Sequence, residues 1–338
     1  MPCRTLAAAA LLAAIAYGAS AADIADATGR TVAVPAAATR VFVAGPPAAA
    51  LVFALRPDAL LGWSHGLRDS DRAMLPAAVR DLPELPALTA DDGTPDRDAL
   101  AAARPYLVVD YGSVTPRYIA QAEAVQQATG VPTVLLDGSL DAIPATLRTL
   151  GAALGVPDRA EVLATWAEAT LAEVDATLAG VAEARRPRVF LARGDDGLQS
   201  GGPGSVNVAI IARAGAVNVV TTGEGRNLVD VTPAEVAAWA PDTILTQSRA
   251  FVVAAQTRPE WRDIPAVAAG HVLLAPGGPF GFIDCPPSVN RLIGLRWLLH
   301  ALYPEAAQGV LRAQTREFYA LFYGIDLDAR ALDRLLQP

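Results

Sequence analysis

The sequence predicts an α/β protein made of two similar lobes, each built on a parallel sheet, with a single long helix between them. The first observation is a repeated strand pattern, because 40–44 (RVFVA) recurs as 188–192 (RVFLA). The second is a longer repeat, because 101–110 (AAARPYLVVD) resembles 237–246 (AAWAPDTILT). In both copies a helical segment stops at a proline, and an apolar strand begins just after it. Strands that alternate with helices are typical of parallel sheets covered on both faces.

The third observation is a helical stretch between the two copies. Mostly apolar side chains recur there at spacings of three and four, which places them on one helix face: Leu163, Trp166, Thr170, Val174, Leu178 and Val181. We predict an N-terminal lobe over 22–156, a connecting helix over 157–185 and a C-terminal lobe over 186–338. An ordinary helix belonging to one lobe is the alternative. A single stiff connector would leave a cleft between the lobes and permit little closure.

The N-terminus has the three-part layout of a secretory signal peptide. Arg4 supplies a positive charge, 5–18 is an apolar run, and 19–21 are small residues. The run is shorter than the about 20 residues that a membrane span needs, although an uncleaved anchor helix is the alternative. Residue 22 is Ala rather than Cys, so a lipid anchor is not expected. We predict a signal peptide over 1–21 that is cleaved, and a soluble periplasmic product.

Composition excludes several classes of function. The net charge is −8, and removal of Arg4 with the signal gives −8 − 1 = −9. An acidic chain without basic clusters argues against a nucleic-acid partner. All 27 basic residues are Arg, so a phosphate-loop lysine and a Schiff-base lysine are both excluded.

Cysteine and histidine usage limits metal chemistry. Cys3 leaves with the signal, so Cys285 has no partner for an internal disulfide. The sequence contains neither a His-x-x-x-His nor a Cys-x-x-Cys pattern. We therefore expect no intrinsic cofactor, and we expect any bound metal to arrive already chelated.

The carboxyl ends of the predicted strands supply the candidate ligand residues, because ligands of parallel α/β sheets bind there. Arg193 and Arg249 each follow a strand of the second lobe, and a guanidinium suits carboxylate, catecholate or similar anionic oxygen groups of a ligand. A surface ion pair with Asp195 or Asp196 is the alternative for these arginines. Pro46 follows the first strand of the first lobe.

Aromatic residues at the same ends predict an apolar wall for the organic part of a ligand: Trp63, Tyr111, Phe280 and Phe282. Local packing is the alternative for Trp63 and Tyr111. His65 is the histidine predicted at the cleft edge, and neutral imidazole is a common metal ligand. A polar loop residue without a metal is the alternative for His65.

The order of these segments resembles a known family. The opening 26–32 (DATGRTV), the two strand repeats, 201–218 (GGPGSVNVAIIARAGAVN) and 286–292 (PPSVNRL) are similar to periplasmic binding proteins that serve ABC importers of ferric siderophores, haem and cobalamin. The resemblance covers the chain beyond the signal. It implies a monomeric binding protein, not an enzyme, that captures a metal chelate between its lobes. It further implies delivery of that chelate to an ABC permease and its ATPase.

The ligand class within the family stays open. An iron–siderophore complex is the leading expectation, while haem, cobalamin and a nickel or cobalt chelate are alternatives. In this family an acidic residue on each lobe docks against permease arginines, and Asp98 and Glu235 occupy the corresponding helices here. Asp98 departs from the usual Glu, and Glu235 lies one step out of register. Ordinary solvated carboxylates at helix ends are therefore the alternative for both.

A secreted serine hydrolase is the alternative from another class. The segment 62–66 (GWSHG) matches the G-x-S-x-G pattern, with Ser64 as nucleophile and with Asp242 and His271 in the required chain order. Asp242 and His271, however, precede their predicted strands and so fall at the wrong end of the sheet. A ligand sensor or chaperone that uses the same cleft is a third hypothesis.

Overall fold

The computed structural model describes residues 21–89, 94–224, 228–307 and 310–336. The predicted signal peptide therefore lies outside the described residues, apart from residue 21. The strands in the described ranges are β1 (Ala21–Ala25), β2 (Thr31–Pro35), β3 (Val41–Val43), β4 (Leu107–Gly112), β5 (Thr133–Asp137), β6 (Arg188–Ala192), β7 (Gln199–Ser200), β8 (Val217–Asn218), β9 (Val229–Asp230), β10 (Thr243–Thr246) and β11 (Val272–Leu274).

The helices alternate with these strands through most of the chain. They are α1 (Pro46–Leu55), α2 (Asp69–Met74), α3 (Ala77–Arg80), α4 (Arg97–Ala103), α5 (Pro116–Thr129), α6 (Ile143–Ala153), α7 (Pro157–Ala179), α8 (Ala209–Arg213), α9 (Pro233–Trp239), α10 (Arg249–Thr257), α11 (Pro259–Arg262), α12 (Pro265–Ala268), α13 (Arg291–Leu302), α14 (Leu311–Phe318) and α15 (Ala329–Leu336). No helix within the described ranges is both long and apolar enough to cross a membrane.

The first lobe contains a three-stranded parallel sheet in the order β3-β4-β5, and an antiparallel hairpin of β1 and β2. All three residues of β3 are buried, as expected for a strand covered on both faces. The ends of β4 and β5 approach closely, because a Cβ atom at Gly138 would lie 2.6 Å from Cα of Gly112. Glycine is required at that position so that the two strands can end side by side.

The second lobe contains a four-stranded parallel sheet in the order β11-β10-β6-β8, with a short antiparallel ribbon of β7 and β9 beside it. The repeat seen in the sequence is built in the same way twice. Both α4 and α9 end at a left-handed residue that is not glycine, Arg104 with φ 47° and Ala240 with φ 45°. A proline follows each, and the next strand then enters its sheet. The predicted fold class, α/β with a parallel sheet in each lobe, is confirmed.

Helix α7 joins the lobes, since it lies between the last strand of the first sheet and the first strand of the second. Its 23 residues span about 34 Å at the usual rise of an α-helix. The helix ends before Gly180, and a short 3₁₀ turn at Glu183–Arg185 takes up the rest of the stretch predicted as helix. One stripe of α7 is buried, and on it the ring of Trp166 lies 4.4 Å below the Arg296 guanidinium.

The end of the chain returns to the first lobe. A π-helical turn at Tyr319–Tyr323 continues α14, and its Tyr323 ring stacks on Phe53 of α1 with centroids 5.8 Å apart. Arg159 of α7 donates a hydrogen bond to the carbonyl oxygen of Leu321 at 3.1 Å. The C-terminal helices therefore bridge the two lobes, because they follow α13 of the second lobe and pack on α1 and α7.

The lobes also meet through Arg291, which is fully buried at the start of α13. Its Nη2 donates to the carbonyl oxygen of Gly138 in the first lobe at 2.5 Å, and its Nη1 donates to that of Val206 in the second lobe at 3.1 Å. Ser288 adds a third link, because its hydroxyl donates to the carbonyl oxygen of Pro47 at 2.8 Å. Burial lowers the pKa of the Arg291 guanidinium.

Candidate ligand-binding cleft

The cleft between the lobes holds a cavity of about 960 Å³. On the side of the first lobe it is lined by the start of α1, by residues 65–68 and by α2. On the side of the second lobe it is lined by the segments that follow β6, β10 and β11. These segments lie at the carboxyl ends of the strands, the place where open α/β sheets bind ligands.

Five of the eight predicted ligand residues line this cavity: Pro46, His65, Arg193, Arg249 and Phe280. The structure thus brings together side chains from both lobes. Phe280 is only 4% exposed, and its ring packs on those of Phe53, Trp63 and Tyr323. It therefore forms the apolar floor of the cleft rather than a projecting contact.

The other three predicted residues lie in the core and do not line the cavity. The indole of Trp63 is 2% exposed, and its Nε1 donates to the carbonyl oxygen of Val79 at 2.8 Å. Tyr111 is buried beside Arg291; burial raises the pKa of its hydroxyl, although Arg291 opposes that rise. Phe282 is also buried, because α13 packs so closely that a Cβ atom at Gly294 would lie 1.8 Å from the Phe282 carbonyl oxygen.

Arg193 is held by a carboxylate that the sequence analysis did not single out. Its Nε lies 2.6 Å from Oδ2 of Asp284, whose side chain has no exposed area. Gln247 completes the arrangement, because its Nε2 donates to Oδ1 of Asp284 at 2.8 Å. Burial raises the pKa of the Asp284 carboxyl above its ordinary value, against the opposing charge of Arg193. The position of Asp284 in the Pro- and Gly-rich loop after β11 was the one available signal for it.

Cys285 is free and also lines the cleft. Its thiol donates to Oδ1 of Asp284 at 3.3 Å, and Nη2 of Arg193 lies 3.8 Å from its sulfur. Burial and the neighbouring Asp284 raise the pKa of the thiol to about 12. The residue is therefore a neutral thiol near pH 7 and does not offer a metal a ready thiolate.

Arg249 stands at the first position of α10 because Ser248 caps that helix. The Ser248 hydroxyl accepts a hydrogen bond from the Phe251 N–H at 3.1 Å and donates one to Oδ1 of Asp195 at 2.6 Å. Asp195 is thus hydrogen-bonded to Ser248 rather than paired with Arg249. Oδ1 of Asp196 accepts a hydrogen bond from the Leu198 N–H at 3.1 Å. Arg249 is exposed and makes no hydrogen bond or ion pair within the described part of the chain.

Two further arginines, which the sequence did not predict at this place, also line the cleft. Arg68 is neutralised locally, because its Nε lies 2.7 Å from Oδ2 of Asp71. Arg334 comes from the last helix, α15.

His65 is exposed at the cleft edge. Across the described ranges, no group of three or more His, Cys, Asp or Glu side chains is arranged to hold a metal ion.

The residues of the hydrolase hypothesis do not form a catalytic triad. The Ser64 hydroxyl is enclosed and has no hydrogen-bond partner in the described structure. His271 Nδ1 lies 3.2 Å from the backbone carbonyl oxygen of Asp242, not from its carboxylate, which accepts the Arg188 N–H at 2.9 Å. Both residues lie at the amino ends of β10 and β11, away from the cleft. The geometry gives the hydrolase hypothesis no support.

The two predicted docking carboxylates are exposed in the first turns of the equivalent helices α4 and α9. Glu235 takes part in capping α9, because the N–H and the hydroxyl of Thr232 both donate to its Oε2, at 2.7 and 2.8 Å. These bonds lower the pKa of the Glu235 carboxyl. Asp98 follows the cap residue Asp96, whose Oδ1 accepts the Ala99 N–H at 2.9 Å.

Two parallel-sheet lobes, a helical connector and a cleft at the strand ends define a two-lobe α/β binding protein. Residues 62–277 match the family model described as "Periplasmic binding protein". The chain therefore belongs to this family, as its sequence resemblance predicted. A search of the curated proteins finds no match.

Solved structures share the fold over nearly the whole chain. An ABC transporter solute binding protein from Sulfurospirillum deleyianum superposes with a TM-score of 0.84 at 23% identity, covering 94% of this chain and 99% of that one. MolA, the molybdate-bound periplasmic binding protein of Haemophilus influenzae, gives 0.72 at 20% identity, covering 91% and 99%. The periplasmic heme-binding protein RhuT from Roseiflexus sp. RS-1 gives 0.58 at 23% identity, covering 80% and 100%.

Proposed function

We propose that this protein is the substrate-binding component of an ABC importer and that it captures a small anionic metal chelate, in the first place an iron–siderophore complex. The observation that carries the proposal is Arg249, a cation in the cleft that has no protein partner among the described residues. A guanidinium offers several donors and a permanent charge, so it favours a ligand with carboxylate, catecholate or similar oxygen atoms.

The size of the cavity supports a chelate rather than a bare ion. Its volume of about 960 Å³ lies at the upper end of the range for drug-sized ligands, about 300–1,000 Å³. A single oxyanion would leave most of that space to water. The described residues also hold no cluster that could strip and cage a metal, so the metal would stay in its own chelator. Phe280 would contact the organic part of such a ligand, while Arg193 and Arg249 would contact its anionic groups.

The similar structures widen the list of ligands to be tested. MolA binds molybdate, RhuT binds heme, and Helicobacter pylori CeuE, another solved structure of this fold, is in complex with Ni-His, so chemically diverse ligands share one fold. Haem, cobalamin and a nickel or cobalt chelate are therefore alternatives for the same cleft. His65, exposed at the cleft edge, would be the side chain to complete the coordination of a metal that has an open position.

Export and delivery complete the proposal. The signal peptide at 1–21 would bring the protein to the periplasm without a lipid anchor, and the monomeric protein would reach the membrane only by docking on the permease. Cell fractionation with N-terminal sequencing of the mature protein checks this directly. A mature chain that begins near Ala22 in the periplasmic fraction is the expected result, and a full-length protein in the membrane fraction would contradict it.

Ligand binding is tested by thermal shift and calorimetric titration of the mature protein. The probes are a ferric tris-catecholate, haem, cobalamin, nickel–histidine and molybdate. A ligand at about 100 times its dissociation constant adds about 2.7 kcal/mol to the free energy of unfolding, which raises the melting temperature by a few degrees. We expect the ferric tris-catecholate to give that shift. No shift with any probe would overturn the proposal.

A pair of variants assigns the binding to the cleft. Arg249→Ala removes the unpaired cation, so we expect affinity for the ferric tris-catecholate to fall about tenfold or more. Arg258→Ala is the matched control, because this exposed arginine ends the same helix and does not line the cleft. Equal affinities in the two variants would remove Arg249 from the site. Hydrolysis of a simple ester that is lost in Ser64→Ala would favour the hydrolase instead.

A further inference from the structure

The last helix of the chain, α15, reaches the ligand cleft. Two of its residues, Arg334 and Leu335, line the same cavity as Arg193 and Arg249. The helix packs on α14, and the π-helical turn that continues α14 stacks on Phe53 of the first lobe. Asp71 and Met74 of α2, which also belong to the first lobe, line the cavity too.

Helix α15 is anchored in this position by several contacts. Its first turn is capped by Asp328, whose Oδ1 accepts the Ala331 N–H at 2.7 Å. Asp333 on the helix lies 2.5 Å from Nη1 of Arg312 on α14. The side chains of Leu332 and Leu335 are buried against the core. Because the helix is fixed in this way, a ligand does not have to order the backbone that carries Arg334.

Arg334 has the same electrostatic situation as Arg249. Its side chain is exposed, and within the part of the chain that the structure describes this side chain makes no hydrogen bond or ion pair. Arg68, by contrast, is paired with Asp71, and Arg193 is paired with Asp284. The two cleft arginines without partners in the described ranges therefore come from separate elements, Arg249 from α10 of the second lobe and Arg334 from α15 near the end of the chain.

We infer that Arg334 is a specificity-determining ligand contact, and that Arg249 and Arg334 together select a chelate that presents anionic groups on two sides. This inference rests on the proposed function and narrows the ligand to a polyanionic chelate. A ligand with one charged group would satisfy one arginine only, whereas a tris-catecholate of Fe³⁺ is a trianion with oxygen atoms on every side. A ligand that bridges the two arginines is held by the C-terminal helix as well as by the strand ends of the second lobe.

The test compares Arg334→Ala with Arg330→Ala in the full mature protein. Arg330 is a matched control, because it is exposed on the same helix one turn earlier and does not line the cleft. Urea unfolding establishes first that both variants are as stable as the parent. The probe is the ferric tris-catecholate, and a ferric tris-hydroxamate, whose iron core is neutral, serves as the less charged comparison.

We expect Arg330→Ala to bind the ferric tris-catecholate like the parent and Arg334→Ala to bind it about tenfold more weakly or worse. The loss should be smaller for the tris-hydroxamate. Equal affinities in the two variants would overturn the inference and leave the proposed function standing. A parent protein that binds no chelate of the panel would instead overturn the proposed function, and the inference would fall with it.

Discussion

The guanidinium of Arg193 and the carboxylate of Asp284 form an ion pair in the wall of the cleft, with Nε 2.6 Å from Oδ2. The pair links the end of β6 to the loop after β11, which are separated by about 90 residues of sequence. Arg193 keeps 19% of its side-chain area exposed, while Asp284 keeps none. One partner thus faces the cleft while the other is desolvated, and the buried carboxylate fixes the direction of the exposed cation.

Removal of the arginine should make stability depend on pH. In Arg193→Met the Asp284 carboxyl loses the charge that opposes its burial, so its pKa, already raised, rises further. A carboxyl with a raised pKa in the folded state stabilises the protein below its ordinary pKa, and this stabilisation is lost as the pH rises through the raised pKa. We therefore expect a loss of about 3 kcal/mol near neutral pH and a smaller loss near about pH 5, measured by urea unfolding.

The double variant Arg193→Met with Asp284→Asn is the control for this titration. It has no carboxyl at the site, so its stability difference from the single variant should grow as the pH rises. If the loss in Arg193→Met were the same at about pH 5 and about pH 8, the pair would not be the source of the effect.

A second ion pair, near the N-terminus, should respond to pH in the opposite direction. Asp26 is buried, yet hydrogen bonds from Thr28 and the charge of Arg30, whose Nη2 lies 2.6 Å from Oδ2, outweigh burial and lower the pKa of its carboxyl. Such a group stabilises the folded state above the ordinary pKa of 3.8 and loses that contribution as the pH falls. Asp26→Asn should therefore cost about 2 kcal/mol near neutral pH.

Urea unfolding at about pH 7 and about pH 3 checks this second pair, because the difference between parent and Asp26→Asn should shrink at the lower pH. Asp23→Asn is the control, since Asp23 is exposed on the neighbouring strand β1. A difference that stays constant between the two pH values would show that the charge of Asp26 contributes nothing to stability.

Permease docking can be separated from helix capping at Glu235. Glu235→Gln keeps an acceptor for the Thr232 donors but removes the charge, whereas Glu235→Ala removes both and should cost about 1 kcal/mol of stability. If Asp98 and Glu235 dock on permease arginines, Asp98→Asn with Glu235→Gln should retain stability and ligand affinity. Ligand uptake by the reconstituted importer should then fall about tenfold, because complementary charges speed association. Unchanged uptake would leave Glu235 with its capping role alone.

The fold could be predicted because its helices and strands follow from local sequence patterns. The helix–proline–strand repeat identified both sheets. Strands β6 and β10 end at Ala192 and Thr246, and residues that line the cleft follow each strand directly. The connecting helix was predicted over 157–185, whereas α7 spans Pro157–Ala179 with Gly180 as its C-cap. The spacing of apolar residues does not mark where a helix stops.

The direction of side chains and the contacts between distant segments could not be predicted from the sequence. Trp63 follows a strand end as expected, yet its ring turns inward to Phe53, and the order of residues carries no information on that choice. Arg334 lies far along the chain from the cleft residues of the first lobe. Its place depends on how α14 and the π-helical turn pack on α1, which no local pattern reports.

The arginine that joins the lobes has a consequence for cooperativity. Arg291 donates to a carbonyl oxygen in each lobe and is wholly buried, and a guanidinium remains charged even when its pKa is lowered. Separating the lobes would leave the Arg291 guanidinium and a carbonyl oxygen without their hydrogen-bond partners, so each lobe alone would be less stable than the two together. The two lobes are thus expected to melt in one transition, and a ligand bound between them would protect the first lobe from unfolding as fully as the second.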